Sequence, residues 1–453
     1  MFASSCNSHS LVDFPMISLG EVREDMDRRA FLRRGIAAAG GFSVCAPLLA
    51  MAACTDVPDE KFVQDSSLVD MGDLMLPEGF NYRVLSRQDE MMSDGHPTPG
   101  NFDGMAAIQG PQGTTILIRN HENRATSRTP VVVPAEKRYD LDPSMTGGCT
   151  KLVVDVKRHL IDSYAVLGGT MMNCAGGQTP WGSWISCEET FDDGDRPHGY
   201  AFEVAAASTG PAEPLPIRAA GRFRHEAVAW HNGVLYETED RPNGAFYRVL
   251  LDPMPRRPGD LAAASGRLQA LRVRTNPQAR TSDDWSVGEP FIVDWVDLDD
   301  PEPTDDMLRG EARDRSAAIF NRPEGAWVGE GKVYFSCTDG GRAGMGQVWE
   351  LDPAVQTLTL VYESPGSHQL DHPDNIVVGR NSDLFLCEDN DSTVHIRRLT
   401  AEGRISTFAK PVTNSSEFCG ACFDPAQVTL FVNQQGSTKE DAVTYAIWGP
   451  WER

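Results

Sequence analysis

Six stretches of the chain repeat one pattern, and this repetition constrains the fold more than any other feature of the sequence. Each stretch starts with small or polar residues that include a carboxylate or amide, continues as an apolar strand, and closes with a second strand ending in Glu, Asp, Asn or Cys. The stretches are residues 102–123, 173–190, 224–241, 322–340, 372–390 and 417–435. Turn residues separate the two strands, as in His231-Asn232-Gly233, so each stretch is predicted to be a β-hairpin.

The repeated hairpins predict an all-β fold, a six-bladed β-propeller with loop insertions. A single hairpin cannot bury its own faces, and radial repetition supplies the missing contacts. The 41 glycines and 30 prolines are typical of many short strands and tight turns. We assign residues 55–453 to one propeller domain. A two-sheet sandwich is the alternative architecture.

Acidic residues recur at matching points of the repeats. The innermost strand of each propeller blade lines the axis, so matching points of successive repeats converge in space. Glu226, Glu324, Asp374 and Glu417 open four repeats, and Glu122, Glu188, Glu239 and Glu388 close the second strand of four. Carboxylates gathered in this way repel one another unless cations lie among them. The pattern therefore predicts a metal cluster, whereas any one of these residues taken alone is typical of a turn or surface acid.

The overall charge favours cations as partners and argues against nucleic acid. The chain has 65 Asp and Glu against 41 Lys and Arg, a formal net charge of −24. Carboxylate oxygens suit calcium, magnesium, manganese or ferric iron, and one thiolate among them favours a softer transition metal. Cys174 lies in a run of small residues and is the candidate thiolate. Its alternative role is that of a small buried core residue.

Residues 1–54 are interpreted as an export leader. The paired arginines Arg28 and Arg29 precede Phe31 and Leu32, and a moderately apolar run then extends to Cys54. This arrangement resembles a twin-arginine signal, so the expected partner is the twin-arginine export machinery and the expected location is periplasmic or secreted. Cys54 is a candidate for lipid anchoring, and a short membrane anchor is the alternative to a signal. Residues 1–25 are polar, which leaves Met16 and Met26 as alternative starts.

Several sequence blocks together resemble the PhoX-type alkaline phosphatases and their relatives. The blocks are NHEN from Asn120, NCAGGQTPWGSWISCEE from Asn173, HEA from His225, PEG from Pro323, PDN from Pro373 and EFCGACFDPAQVTLFVNQQ from Glu417. They follow one another in order from about Asp103 to Gln435, which is nearly the whole region after the leader.

The resemblance implies a six-bladed propeller with Ca²⁺ and Fe³⁺ clustered at one end of its axis. It implies that Cys174 is a thiolate ligand of iron. It assigns carboxylate ligands to Glu122, Glu188, Glu226, Glu324 and Glu388, with Asn120, Asn173 and Asp374 as further ligand candidates. Arg322 is expected to bind the substrate phosphate, because a guanidinium fork matches the geometry of a phosphate group.

The predicted function is that of a metal-dependent phosphomonoesterase acting on small-molecule phosphate esters, expected as a monomer. A calcium-dependent hydrolase of lactonase type is one alternative, since His121, His225 and His372 each lie beside a candidate ligand. A non-catalytic envelope propeller stabilised by its metals is another. The single CxxC motif, Cys419 to Cys422, is open to two interpretations: a disulfide or two packed thiols.

Overall fold

The computed structural model describes residues 62–63, 67–283, 285–390 and 392–451. These residues belong to one compact unit, Pro58–Arg453. The predicted export leader, including Cys54, lies outside the described residues. Within the described part of the chain, no helix has the length and apolar character needed to cross a membrane.

Nearly all regular structure is β-strand. In chain order the strands are β1 (Phe62–Val63), β2 (Leu68–Asp70), β3 (Leu74–Pro77), β4 (Asn81–Arg87), β5 (Phe102–Gln109), β6 (Thr115–His121), β7 (Gly147–Val154), β8 (Leu160–Thr170), β9 (Asn173–Gln178), β10 (Ser183–Glu188), β11 (Ala201–Ala205), β12 (His225–His231), β13 (Val234–Glu239), β14 (Phe246–Asp252), β15 (Ser265–Val273), β16 (Pro290–Asp297), β17 (Pro323–Gly329), β18 (Lys332–Cys337), β19 (Gln347–Asp352), β20 (Thr357–Glu363), β21 (Pro373–Val378), β22 (Leu384–Glu388), β23 (Ile396–Leu399), β24 (Ile405–Pro411), β25 (Phe418–Phe423), β26 (Leu430–Gln434) and β27 (Val443–Trp448). Two short helices, α1 (Asp260–Ala263) and α2 (Leu308–Asp314), lie in the connections.

Sequence turn chemistry explains the hairpins at the centre of the fold. The turn between β12 and β13 is Asn232-Gly233, with φ of 49° and 86°, and the turn between β17 and β18 is Glu330-Gly331, with φ of 48° and 78°. Two successive residues with positive φ form the tight turn whose twist matches that of antiparallel strands. Both predicted hairpins are confirmed.

The strands form five sheets. The orders are β5-β6-β7-β8, β9-β10-β11, β12-β13-β14-β15-β16-β20-β19-β18-β17, β25-β26-β27-β4, and β2-β3-β24-β23-β22-β21 with β1 added to β24. The strand β4, from the start of the described region, pairs antiparallel with β27 from its end. This pairing ties the two ends of the described chain into one sheet, so neither β4 nor β27 depends on local contacts alone.

The first strands of the six repeats, β5, β9, β12, β17, β21 and β25, contact one another in a closed sequence. Hydrogen bonds also join each repeat to the next, from the first or second strand of one repeat to the first strand of its neighbour: Asn120 Nδ2 to Cys174 O (2.7 Å), Cys174 Sγ to His225 O (3.2 Å), Thr238 Oγ1 to Glu324 O (2.5 Å), Ser336 Oγ to Asp374 O (2.6 Å), Gly420 N to Asn375 Oδ1 (2.7 Å) and Asn433 Nδ2 to Asp103 O (2.6 Å). The last bond returns from the sixth repeat to the first. The repeats therefore form a ring rather than an open stack.

Apolar side chains fill the space between neighbouring sheets of the ring. Phe246 stacks on Phe335 with ring centroids 4.3 Å apart, which joins the third and fourth repeats. Ile118 of the first repeat belongs to the same buried cluster as Trp184 and Phe202 of the second. Burial of large side chains on both faces of each sheet is what a lone hairpin lacks, so packing between repeats stabilises the ring.

The fold is all-β and propeller-like, as the repeats predict, and it is not a two-sheet sandwich. The strands do not separate into six independent sheets. β16 pairs with β20 and merges two groups into the nine-stranded sheet, while β2 and β3 lengthen another. Long connections between repeats supply these additional strands. For this reason the repeats are unequally spaced in the sequence.

Candidate metal centre

A β-bulge recurs near the start of each first strand. In each case two residues of the first strand lie opposite one residue of the second: Asp103-Gly104 opposite Asn120, Cys174-Ala175 opposite Cys187, Glu226-Ala227 opposite Thr238, Glu324-Gly325 opposite Ser336, Asp374-Asn375 opposite Cys387, and Gly420-Ala421 opposite Val432. A bulge bends a strand and re-aims its side chains. The first bulge residue is acidic in four repeats and a cysteine in a fifth.

The second bulge residue is glycine or alanine in five of the six repeats, and at the two glycines the neighbouring bulges touch. A Cβ on Gly104 would lie 2.5 Å from Ala175 Cα, and a Cβ on Gly325 would lie 2.7 Å from the Asp374 carbonyl oxygen. Real Cβ atoms do not approach other atoms this closely, so glycine is required at both positions. The close contact places the first bulge residues of successive repeats next to one another.

Three acidic bulge residues meet directly. One carboxylate oxygen from each of Glu226, Glu324 and Asp374 lies within 4.8 Å of the others. Burial, together with the charges of Asp374 and Asp103, raises the pKa of Glu226 well above its ordinary value. Burial and the charges of Asp240 and Asp374 do the same for Glu324, despite an opposing effect of Arg322. Oxygen Oε1 of Glu324 is buried and accepts no hydrogen bond from the described residues.

Asp374 and Asp103 extend this group. Asp374 is partly exposed as a residue, yet desolvation of its carboxyl group, followed by the charge of Asp389, raises its pKa to about 7. Burial and the charges of Glu122 and Asp374 raise the pKa of Asp103 well above its ordinary value. Raised values throughout one group mean that its negative charge is poorly compensated by the protein itself.

A second set of acids surrounds the first. Four of these acids, Glu122, Glu189, Asp240 and Asp389, immediately follow the end of a second strand. In each case the last residue of that strand pairs with the residue before the bulge. The fifth acid, Glu417, immediately precedes β25. Their charges reach the first set: Glu189 raises the pKa of Glu226, Asp240 that of Glu324, and Asp389 that of Asp374. Burial is the main cause of the raised pKa of Glu189 and Glu417. We call Asp103, Glu122, Glu189, Glu226, Asp240, Glu324, Asp374, Asp389 and Glu417 the acid cluster.

Cys174 lies beside the acid cluster. Only 3% of the residue is exposed, and Sγ lies 3.2 Å from the carbonyl oxygen of His225 and 3.6 Å from that of Glu226. Burial, then the charge of Glu226, raises the pKa of the thiol well above its ordinary value, so without a cation the thiol is protonated. A neighbouring metal cation reverses this balance, because a coordinating thiol loses its proton.

Arginines border the cluster at its exposed side. Arg322 donates from Nε to Asp240 Oδ1 at 2.9 Å and from Nη2 to Asp240 Oδ2 at 3.3 Å. The same Nη2 lies 2.8 Å from Glu324 Oε1, but at an angle that does not make a hydrogen bond. Arg124 pairs with Glu122 at 2.8 Å and Arg224 with Glu189 at 3.4 Å. About 28% of the Arg322 side chain is exposed, so its guanidinium is accessible to a ligand.

The structure brings together seven of the residues singled out in the sequence: Glu122, Cys174, Glu226, Arg322, Glu324, Asp374 and Glu417. It places two other candidate ligands elsewhere. Glu188 accepts hydrogen bonds from His198 Nδ1 and from the backbone N–H groups of Met171, Gly199 and Tyr200. Glu388 accepts from His395 Nδ1, Arg397 Nε and the Asp371 N–H. Both carboxylates are fully buried, and their oxygens are occupied by protein donors.

The two candidate amide ligands also have complete sets of protein partners. Asn120 donates to the carbonyl oxygens of Cys174 and Ala175 and accepts from Trp184 Nε1. Asn173 accepts from Thr170 Oγ1 at 2.6 Å and donates to Ser186 Oγ at 2.9 Å. Asn120 shares its role with Thr238 and Ser336, which lie opposite the bulges of other repeats and also donate to the following repeat.

Sequence reasoning missed Asp103, Glu189, Asp240 and Asp389. Aligning the opening residues of the repeats would have found Asp103, because it stands in the first repeat where Glu226 and Glu324 stand in theirs. The other three immediately follow Glu188, Glu239 and Glu388. Successive strand residues point to opposite faces, so a shift of one residue changes which carboxylate of each adjacent pair faces the acid cluster.

The seven described cysteines are all free and buried, including Cys419 and Cys422. Cys419 Sγ lies 3.0 Å from the carbonyl oxygen of Phe102, and Cys422 packs in an apolar cluster with Leu117 and Phe431. Of the two interpretations of the CxxC motif, the structure shows packed thiols.

Fold and site together define an all-β, propeller-like protein with a candidate acidic metal site. A family model described as "Alkaline phosphatase PhoX" matches residues 62–163 and 155–437. The match spans most of the chain, and the chain belongs to this family. It is therefore an alkaline phosphatase-like hydrolase, and this family is metal-dependent.

A solved structure of Pseudomonas fluorescens PhoX, in complex with vanadate as a transition-state analogue, has a similar fold. The TM-score is 0.66 at 18% sequence identity, covering 84% of this chain and 97% of that one. A gluconolactonase from Xanthomonas campestris gives a TM-score of 0.41 at 13% identity, covering 84% and 99% of the two chains. A streptogramin B lyase gives 0.41 at 11% identity, covering 81% and 97%. No curated protein sequence matches the chain.

Proposed function

We propose that this protein hydrolyses phosphate monoesters at a cluster of metal ions held by the acid cluster. The observation that carries the proposal is the convergence of Glu226, Glu324 and Asp374, whose oxygens lie within 4.8 Å of one another without enough protein cations around them. Buried carboxylates in this state are stabilised by multivalent cations. The family of the chain supplies the reaction type.

The residues present fit such a group of ions. Glu226, Glu324 and Asp374 would form its centre, with Asp103, Glu122, Glu189, Asp389 and Glu417 around them. Glu324 Oε1 is buried and accepts no hydrogen bond, although it lies 2.8 Å from Arg322 Nη2, so it can take a metal cation as a further partner. Oxygen donors suit Ca²⁺ and Fe³⁺, and the adjacent Cys174 suits iron. When bound, such ions supply charge neutralisation for phosphoryl oxygens and activation of water.

The contribution of the chain itself is to bind and orient the ester. Asp240 fixes the guanidinium of Arg322 through two hydrogen bonds, which presents the remaining donors to the exposed side of the cluster. A fixed guanidinium binds two oxygens of a phosphoryl group and opposes the negative charge that develops there. Arg322 is thus assigned to substrate binding, and Asp240 positions it.

Metal analysis of natively exported protein, combined with phosphate release from a panel of esters, tests the proposal. We expect iron together with calcium, release of phosphate from monoesters, and loss of release after chelation. Calcium alone with hydrolysis of lactones would favour the lactonase-type alternative. Metal-replete protein that releases phosphate from no monoester, diester or nucleotide would leave the non-catalytic propeller as the function.

The finer architecture is part of the same proposal. We propose six blades, one for each first strand of the ring, with β16 and β20 as a contact between two blades. The closed sequence of hydrogen bonds that joins each of the six repeats to the next supports this count. We further propose that the protein acts as a monomer.

We also propose that Arg28 and Arg29 direct the protein through the twin-arginine pathway to the periplasm or beyond. The support is the arginine pair followed by a moderately apolar run up to Cys54, a candidate lipidation site. Replacing both arginines with lysine should retain the protein in the cytoplasm, measured by fractionation and immunoblotting. Unchanged export of this variant would refute the assignment, and mass spectrometry of the mature N-terminus decides whether Cys54 is lipidated.

A further inference from the structure

Cysteine occupies two of the six equivalent positions near the start of the first strands. Strand β25 begins Phe418-Cys419-Gly420 where β5 begins Phe102-Asp103-Gly104. The phenylalanine of each triplet pairs with the last residue of the second strand, Gln434 or His121. Cys419 also pairs with Asn433, so the bulge of the sixth repeat begins one residue later. Cys419 nevertheless stands in its repeat where Asp103 and Cys174 stand in theirs.

The thiol of Cys419 has the same surroundings as the thiol of Cys174. Each Sγ lies beside two carbonyl oxygens, one from the residue just before the equivalent position of the next repeat and one from the second-strand residue opposite. The distances are 3.0 Å to Phe102 O and 4.0 Å to Asn433 O for Cys419, and 3.2 Å to His225 O and 3.8 Å to Cys187 O for Cys174. The two thiols are therefore held in the same way, with one repeat between them.

Cys419 lies against the acid cluster. A Cβ on Gly420 would collide with the carbonyl oxygen of Asp103, so glycine is what allows the sixth repeat to approach the first so closely. Cys419 is fully buried, and burial followed by the charges of Asp103 and Glu417 raises the pKa of its thiol well above the ordinary value. Asp103 also raises the pKa of Cys174. Carboxylates of the cluster thus lie near both thiols, and Asp103 acts on each of them.

A buried guanidinium on the same side of the ring is a second observation that favours a thiolate. Arg119 is only 1% exposed, its hydrogen-bond partners among the described residues are three hydroxyl groups, and its buried Nε has no acceptor. Its Cζ lies 3.4 Å from the ring centroid of Phe102, whose carbonyl oxygen contacts Cys419. Burial lowers the pKa of Arg119 to about 9, and negative charge on Cys419 opposes this effect. A buried cation without a carboxylate is stabilised by a nearby anion, which a thiolate at Cys419 supplies.

We propose that Cys419 is a second thiolate ligand of the metal cluster, on the other side of Asp103 from Cys174. This inference rests on the metal cluster of the proposed function. Metal binding releases the thiol proton to solvent and leaves the thiolate on the ion. Thiolates favour a softer transition metal, whereas the equivalent residues of the third to fifth repeats are carboxylates, which suit hard cations. The sixth, first and second repeats then form the side of the ring that favours iron.

Cobalt substitution tests the inference, because a thiolate bound to Co²⁺ gives a charge-transfer absorption in the near ultraviolet that oxygen ligands do not give. The exported protein is chelated and reloaded with Co²⁺ alone. We expect Cys174→Ser and Cys419→Ser each to lower the intensity of this band per protein by about half, and the double variant to lose the band. A serine hydroxyl still supplies a donor for the Phe102 carbonyl, so Cys419→Ser removes the sulfur rather than the hydrogen bond.

Cys419→Asp is the second variant, since an aspartate stands at this position in the first repeat. It should keep the Co²⁺ stoichiometry of the wild type and lose the same share of the band, and it decides if Cys419→Ser fails to fold or to bind metal. Cys422→Ala is the matched control, because Cys422 is also buried but packs in an apolar cluster with Leu117 and Phe431. It should leave the band unchanged.

The outcomes separate this inference from the proposed function. An unchanged band in a folded Cys419 variant that binds Co²⁺ would overturn the inference while the proposed function stands. Co²⁺-loaded wild-type protein without a thiolate band would have the same meaning. Wild-type protein that takes up no metal and releases no phosphate from monoesters would instead refute the proposed function.

Discussion

Adjacent glutamates in this protein have opposite environments. Glu188 is neutralised by His198 and by three backbone N–H groups, and Glu388 is neutralised by Arg397 and His395. Their immediate neighbours, Glu189 and Asp389, face other carboxylates in the acid cluster. All four residues are carboxylates; Glu188 and Glu388 are fully buried, and Glu189 and Asp389 are partly exposed as residues. The difference lies in what surrounds the charge: cationic side chains and N–H donors of the protein for Glu188 and Glu388, and further carboxylates for Glu189 and Asp389.

The comparison teaches that burial of an acid is not by itself a sign of a metal site. A buried carboxylate with a full set of protein donors is a structural element, whose loss leaves an unpaired charge on its partner. A buried carboxylate whose nearest charged neighbours are other carboxylates has a raised pKa and a need for cations. Glu226 and Asp374 are of the second kind, and so is Glu324 in its raised pKa, which neighbouring Arg322 opposes without cancelling.

The largest effect is expected from Glu226→Gln. Removal of one carboxylate from the central group should lower metal content and reduce phosphatase activity by at least about 100-fold, because change of a direct ligand exceeds the 10- to 100-fold effect of an outer-sphere residue. The measurements are elemental analysis of purified protein and initial rates on a monoester. Full metal content in this variant would contradict the central assignment.

Glu388→Gln tests a carboxylate of the first kind, one that is neutralised by protein donors. It leaves the buried guanidinium of Arg397, 2% exposed, without its carboxylate partner. The free energy of unfolding should fall by about 3–5 kcal/mol, the usual result of breaking a buried ion pair. Denaturant unfolding measures this change. The metal content of the folded fraction should be unchanged, and a selective loss of metal with normal stability would place Glu388 in the metal site instead.

The pH dependence of metal-free protein is the next test. The pKa values of Glu226, Glu324 and Asp103 are raised, and that of Asp374 lies at about 7. Between about pH 4, the ordinary carboxyl range, and pH 7, the native state thus binds protons that the unfolded state has released. Stability of the chelated protein should therefore fall as pH rises through this window, by about 1 kcal/mol or more per pH unit.

Thermal unfolding of chelated and metal-loaded protein across pH 4.5–8 measures this effect. Added metal should abolish the decline, because cations replace the protons and bind only the native arrangement. A chelated protein whose stability rises over the same interval would show that the cluster carboxylates are compensated by the protein.

The smallest effect is expected from Asn120→Ala. Its side chain joins the first two repeats by hydrogen bonds to Cys174 O and Ala175 O, and its loss leaves buried carbonyl groups without donors. We expect a loss of about 1–3 kcal/mol in the free energy of unfolding, with metal content retained at saturating metal. Serine at the same place should recover little, because its hydroxyl is too short to reach both carbonyls. Loss of metal at unchanged stability would restore Asn120 as a ligand.

The sequence predicted the ring of hairpins and much of the site for one reason: repetition aligns positions. Glu226, Glu324 and Asp374 were found because each opens a repeat, and a bulge at that point is a local feature of every first strand. Asp103 obeys the same rule and could have been found by it. The merging of two repeats into one nine-stranded sheet was not predictable, because the pairing of β16 with β20 joins segments about sixty residues apart.

The acids at the ends of the second strands show what the sequence cannot determine, namely which of two adjacent carboxylates faces the centre of the ring. Glu188 and Glu189, or Glu388 and Asp389, are equivalent in composition and nearly so in position, and either could face the centre of the ring. A side-chain period of two residues makes the choice depend on the register of each strand pair, which long-range hydrogen bonds set. The sequence alone determined the repeats, the family and the acidic residues that recur at matching points; the tertiary structure decided which carboxylates meet and which are neutralised by the protein, because only strand register orients them.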